Sequence, residues 1–125
     1  MTVYPLKVVN MTRYALLGDG VVAARTPLER TKGLLGTAML PRGGGLWIAP
    51  CRSIHSFGMR YEFDAVFIDR SGRVVGMHPR FRRNRISRIF WNARGVLELA
   101  AGTIERTSTA LGDEVVFQAD GGGSG

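Results

Sequence analysis

The sequence predicts a mainly β fold: a mostly antiparallel barrel or jelly-roll-like sandwich carrying two short helices. Three observations predict it. Short apolar, β-branched runs recur between turn signals rich in glycine, proline and aspartate. There is no internal repeat and no regular alternation of strand and helix patterns, as a parallel α/β sheet requires. Asp69-Arg70-Ser71-Gly72 separates two apolar runs, the pattern of a hairpin.

Taken in order, Leu6–Val9 is an apolar strand, Tyr14–Leu17 is its candidate neighbour, and Gly18-Asp19-Gly20 reads as a turn before Val21–Arg25. Thr26-Pro27-Leu28-Glu29 then starts a helix. Thr26 fits the N-cap, Pro27 the first helical position and Glu29 the capping box, with Leu28, Leu34 and Leu35 as the apolar stripe and Gly36 as the stop. Pro41–Gly45 is a loop into the strand Leu46–Pro50. Phe63–Asp69, apolar on both faces at Ala65-Val66-Phe67-Ile68, is the central strand, and Arg73–Met77 is its hairpin partner. Val96–Ala100 alternates as a half-buried strand does, which turns Glu98 away from the core toward solvent or a cleft. Gly102-Thr103 opens a second helix through Ala110, and Gly112-Asp113 turns the chain into a last strand, Glu114–Gln118.

With 125 residues, residues 1–120 fit one globular domain, and Gly121–Gly125 reads as a flexible Gly/Ser tail. The 45% hydrophobic and 22% charged residues are ordinary globular values, which argues against both disorder and membrane embedding. No window approaches the roughly 18–20 apolar residues of a membrane-spanning helix. One cysteine allows no internal disulfide, and Met1–Lys7 lacks the basic-then-apolar pattern of a secretion signal, so the expected location is the cytoplasm. The net charge of +7 is nearly all arginine. It concentrates between Pro79 and Leu97, where Arg80, Arg82, Arg83, Arg85, Arg88 and Arg94 stand with no acidic residue.

Several blocks carry a resemblance: Thr26-x-x-Glu29-Arg30-x-x-Gly33-Leu34, Gly45-Leu46-Trp47-Ile48, Phe57-x-Met59-Arg60 with Asp64-x-x-Phe67-x-Asp69, and Leu97-Glu98-Leu99-x-x-Gly102 with Gly112-Asp113. In this order they resemble the signature blocks of domain-of-unknown-function family 192, across nearly the whole chain. The resemblance implies a compact β-rich fold, jelly-roll-like or barrel-like, and no established activity. The chain departs from it at Met59-Arg60-Tyr61-Glu62, where many members resemble Met-Lys-Asn-Thr, and in lacking the secretion signal many members carry.

The stretch Cys51–Arg60 holds the lone cysteine and one of two histidines. A Cys51–His55 nucleophilic pair needs contact at roughly 3 Å, whereas four residues along a strand span about 13 Å, so only a bend after Pro50 would rescue it. Zinc needs three or four ligands, and Cys51, His55, His78 and one carboxylate are the whole supply without any pre-paired spacing. No metal and no cofactor is expected. As a strand, the stretch places Ser53, His55, Phe57 and Met59 on one face, either a ligand-pocket wall or a core face. His78 reads as a surface residue at a strand end. Asp64 enters an apolar run and needs partners, for which Arg30, Arg60 and His55 are the candidates.

The resulting expectation is a non-catalytic domain binding an anionic small ligand or an acidic partner. Its candidate pocket is His55, Phe57, Met59 and Asp64, with Arg30, Arg60 and Glu98 beside it. Its basic surface is Arg80, Arg82, Arg83, Arg85 and Arg88. Two alternatives stay open: a hydrolase-like enzyme using His55, Asp64 or Glu98 as acid and base, and a nucleic-acid accessory protein in which the arginine segment binds phosphate while Phe81, Phe90 and Trp91 stack. Without an RNA- or DNA-binding motif, a solvated loop folded over the barrel, its aromatics buried and its arginines outside, is the favoured reading of that segment. Oligomeric state is not encoded in any pattern.

Overall fold

A computed structural model describes residues 6–24 and 43–119. The Thr26 helix, Arg30 and the Gly/Ser tail lie outside them. Seven strands form one curled sheet: β1 (Leu6–Asn10), β2 (Ala15–Ala24), β3 (Gly44–Ile48), β4 (Phe63–Ile68), β5 (Val74–Phe81), β6 (Gly95–Ala100) and β7 (Val115–Ala119), with one short helix, α1 (Thr103–Thr107), before β7. Their spatial order is β5-β4-β6-β3-β2-β1-β7. Every neighbour pair is antiparallel except β2 and β3, which run parallel through the long connection that such a pair demands. The sheet curls into a half-barrel whose edge strands meet at one end, through an Arg73–Glu114 bridge and the Val115 amide donating to the Gly72 carbonyl at 2.8 Å.

The central hairpin forms as the sequence indicates. Asp69 Oδ1 accepts from the Ser71 amide, the Ser71 hydroxyl and the Arg73 amide at 2.8–2.9 Å, and Gly72 takes the positive φ of 88° that the turn requires. Hydrogen bonding to Arg73 leads the effects that hold the Asp69 carboxyl below its ordinary range, despite an opposing desolvation.

Both faces of the sheet are covered. The curl wraps one apolar cluster, built from Val8, Leu17, Val21, Val66, Ile68, Val74, Leu97, Leu99, Ile104 and Val115. On the other face lies a second, with Leu46, Ile54, Met59, Tyr61, Phe63, Ala65, Phe67, Phe81, Ala93 and Val96. Alternate residues of β4 therefore serve different clusters, which explains its unbroken apolar run: all six residues are buried.

Three expectations need correction. Gly18-Asp19-Gly20 is no turn but the middle of β2, and its glycines serve close backbone approach: the Asp19 and Gly20 amides both donate to the Gly43 carbonyl, and a Cβ on Gly18 would sit 2.8 Å from that oxygen. β6 is buried on both faces, and Glu98 is fully buried rather than turned outward. Among the described residues one helix occurs, and it stops at Thr107 because Ser108 turns left-handed at φ 56°. No helix among them is long and apolar enough to cross a membrane.

At the barrel end, Asn10 donates to Thr109 Oγ1 and Asp113 Oδ2, while Arg13 Nε reaches Asp113 Oδ2 at 3.0 Å. Burial opposes the Asp113 charge, but the bonds from Arg13, Asn10 and the Ala110 amide outweigh it and hold the carboxyl below its ordinary range. This network locks the β1–β2 hairpin to the start of β7.

Candidate functional site

Two long segments without regular structure, residues 51–62 and 82–94, cover the second cluster. They are stitched to one another. The Cys51 amide donates to the Arg94 carbonyl, Phe90 to Arg52, Ser87 to Ile54 and Ser56 to Arg85, all at 2.8–3.0 Å, and His55 and Ile86 form an isolated antiparallel bridge. Two buried serines supply the side-chain clips. Ser56 Oγ donates to the Arg82 carbonyl and accepts from the Arg85 amide at 2.9 Å; Ser87 Oγ accepts from the Ile54 amide and donates to the Arg88 carbonyl. Nothing in the sequence pattern singles out either serine. The only available signal is the alternation of Ile54 and Ser56 against His55 and Phe57.

That alternation holds, but with the opposite sense. Ile54 and Ser56 point inward, while His55 is exposed and stacked on Phe57 with ring centroids 5.5 Å apart. Gly58, at φ 82°, breaks the phase, so Met59 returns to the core. The four residues expected to share a pocket are thus divided: His55 and Phe57 stand on the outer surface, and Met59 and Asp64 are buried.

Asp64 sits on the other face of β4 from Met59, because Phe63, Ala65 and Phe67 serve the Met59 cluster and Val66 and Ile68 the opposite one. Its carboxylate accepts three backbone amides: Arg80 at 2.8 Å and Gly102 at 3.1 Å on Oδ1, and Ile104 at 2.7 Å on Oδ2. These amides, not Arg60 or His55, are its partners among the described residues. Glu98 is opposite Ala65 across the β4–β6 ladder and shares its face, so Asp64 and Glu98 point to opposite sides of the sheet. With His55 outside, the proposed acid and base constellation is not assembled. Cys51, half-buried, donates its thiol to the Ser53 carbonyl at 3.0 Å. Among the described residues no three His, Cys, Asp or Glu side chains gather to ligate a metal.

The arginine segment has a mixed surface. Phe81 is buried and Phe90 half-buried, stacked on Phe67 at 4.3 Å and overlaid by the Arg88 guanidinium at 4.9 Å. Trp91, Ile86 and Phe57 are exposed, at 69%, 70% and 56%. Around them Arg52, Arg60, Arg82, Arg83, Arg85, Arg88 and Arg94 all reach solvent, and Glu62 is the one acidic residue on either segment. A contiguous pair of loops thus carries apolar anchors in a basic field.

His78 is not the surface residue expected. Its ring lies 5.2 Å from Phe81 and 5.8 Å from Phe90, and its Nε2 is buried without a hydrogen-bond partner among the described residues. Burial, with the Arg88 charge behind it, pushes its pKa below the usual 6.5. A folded-state value below the unfolded one means that the unfolded chain binds more protons once pH drops under about 6.5, so His78 removes stability on acidification. Comparing unfolding of the wild type and His78→Phe across that range should show the variant gaining relative stability as pH falls; a pH-independent difference would contradict it.

Comparison with known proteins places this geometry among structures of similar shape. A family model described as Uncharacterized ACR, domain of unknown function 192, matches residues 16–117. A protein of unknown function from Novosphingobium aromaticivorans is similar in structure, with a TM-score of 0.75 and 21% identity, covering 91% of this chain and 84% of that one. A protein from Sinorhizobium meliloti, described as a candidate transcription regulator, gives a TM-score of 0.73 and 21% identity, covering 93% and 94%. A comparison with the curated proteins finds no match.

Proposed function

The chain belongs to domain-of-unknown-function family 192, and from that premise we propose that it is a non-catalytic binding domain whose loop pair 51–62 and 82–94 docks an anionic partner. The observation that carries this reading is the combination of exposed Phe57, Ile86 and Trp91 with seven solvent-facing arginines on two loops pinned together by buried serines. Charge draws an acidic partner in and excludes basic ones, while the apolar residues supply contact area once water is displaced. His55 and Phe57 contribute from the originally expected pocket. Met59, Asp64 and Glu98 serve the framework beneath.

The geometry offers little to an enzyme reading. An acid and base pair needs two titratable groups facing one reacting atom, and Asp64 is committed to three amides on one side of the sheet while Glu98 lies on the other.

Binding of dextran sulfate and of polyglutamate tests the proposal. Both should bind at low salt and weaken steeply as salt is added, since exposed charges are screened over roughly 10 Å at 0.1 M. Replacing Arg82, Arg83 and Arg85 together by alanine should weaken dextran sulfate binding about tenfold, the product of three modest exposed contributions. Affinity that ignores both salt and these substitutions would sink it.

A further inference from the structure

We propose that the depression between the two loops and the β4–β5 turn is a nucleotide subsite, where Trp91 stacks on a base and Arg52 and Arg70 hold its phosphate. This rests on the anion-binding reading of the same face and names the ligand chemistry at one end of it. The depression has a volume of about 450 Å³ and is lined by Arg52, Asp69, Arg70, Ser71, Trp91 and Asn92, with Ala93 as the buried residue beside them. That volume lies within the range of roughly 300–1,000 Å³ typical of small-molecule sites.

The lining has a division of labour that a generic anion would not use. Trp91 is 69% exposed, yet its backbone is fixed: the Phe90 amide donates to the Arg52 carbonyl at 2.8 Å, Ala93 to Phe90 at 2.9 Å, and Arg94 to the Ile68 carbonyl at 2.8 Å. Phe90 and Ala93 take the inward places of this turn, and the indole is presented outward on a fixed support. An exposed indole on a hydrogen-bonded turn, in a lining that also holds two arginines, offers a flat face and phosphate-binding charge together. An acidic peptide would satisfy the arginines but carries no obligatory ring for Trp91.

Asn92 and Ser71 add neutral hydrogen-bonding groups suited to a base edge or a sugar. Asp69 is the acidic member of the lining. Its Oδ1 is engaged by Ser71 and Arg73 within the turn. Both a single-stranded nucleic acid and a free nucleotide present the required ring and phosphate.

The probes are a single-stranded oligothymidylate, thymidine monophosphate and dextran sulfate. Oligothymidylate should quench Trp91 emission, identified against Trp91→Phe, in which only Trp47, half-buried and 4.7 Å from Phe117, still emits. Trp91→Ala should weaken oligothymidylate binding about tenfold or more, the effect of losing one stacked base, and should weaken dextran sulfate binding by less, since that polymer carries no ring to stack. Quenching and displacement by the monophosphate would identify a free nucleotide as the source; quenching by the oligonucleotide alone would identify a strand. Both support the subsite. It is overturned if Trp91→Ala binds oligothymidylate as the wild type does, or loses dextran sulfate equally. If dextran sulfate binds and oligothymidylate does not quench, the nucleotide assignment fails while the anion-binding reading stands; if no polyanion binds, both fail.

Discussion

Replacing Asp64 by alanine should cost about 4 kcal/mol of folding stability, the largest loss expected among the polar side chains of the described residues. The physical basis is a carboxylate that is fully buried and accepts three backbone amides from two places in the fold. Arg80, at φ 50°, lies at the irregularity just before the end of β5, and Gly102, at φ 96°, and Ile104 begin α1. None of these amides has a place in a ladder, and α1 has no side-chain cap of its own, since the Thr103 hydroxyl donates instead to the Ala100 carbonyl. Asp64 therefore closes both ends from the middle of the sheet. Removing it strands three donors, one in a buried and two in part-buried bonds, each costing about 1–3 kcal/mol. Asp64→Asn keeps one accepting oxygen and turns an N–H donor toward another donor, so it should lose about half as much as alanine does. Urea or guanidinium unfolding measures both, and a loss below about 1 kcal/mol for alanine would show that the three bonds are replaced by water.

Asp64 also shows where sequence reasoning reaches its limit. Its need for partners was legible, because a carboxylate beside Ala65-Val66-Phe67-Ile68 must be satisfied. Which partners was not, because backbone amides leave no mark in residue identity. The β4–β5 hairpin was legible for the opposite reason: Asp69, Ser71 and Gly72 act through local bonds within four residues. Glu98 was misread because alternation reports one covered face, and the second cover here is two loops with no apolar period. Gly18 and Gly20 look like turn residues in one dimension; only the pairing with Gly43 reveals them as strand residues, and at Gly18 the close Gly43 carbonyl leaves no room for a side chain. For the candidate site, arginine clustering was visible in composition. The pairing of residues 51–62 with 82–94, which converts charge into a surface, depends on Ser56 and Ser87 and on contacts about thirty residues apart.

That pairing can be tested at its centre, where Ser56→Ala should cost about 2 kcal/mol and also weaken polyanion binding. Ser56 is fully buried, and its hydroxyl serves the Arg82 carbonyl and the Arg85 amide at once, the two ends of the tightest part of the arginine segment. Alanine leaves a part-buried donor and a part-buried acceptor without this hydroxyl. The Ser56 backbone keeps its bonds with Asn84 and Arg85, and Ile54 and His55 keep theirs with Ser87 and Ile86. A purely structural serine would lower stability and leave binding intact, because native molecules would still present Arg82, Arg83 and Arg85 in the same places. A serine that arranges the face should do more. The Arg85 amide should lose hydrogen-exchange protection relative to the Asp64-bound amides, and dextran sulfate affinity should fall under conditions where the variant remains folded, because the three arginines no longer share one rigid surface and binding must pay to order them. Unchanged protection at Arg85, or unchanged affinity in the folded variant, would mean that the arginines act as independent charges and that the loop pair supplies no preorganisation.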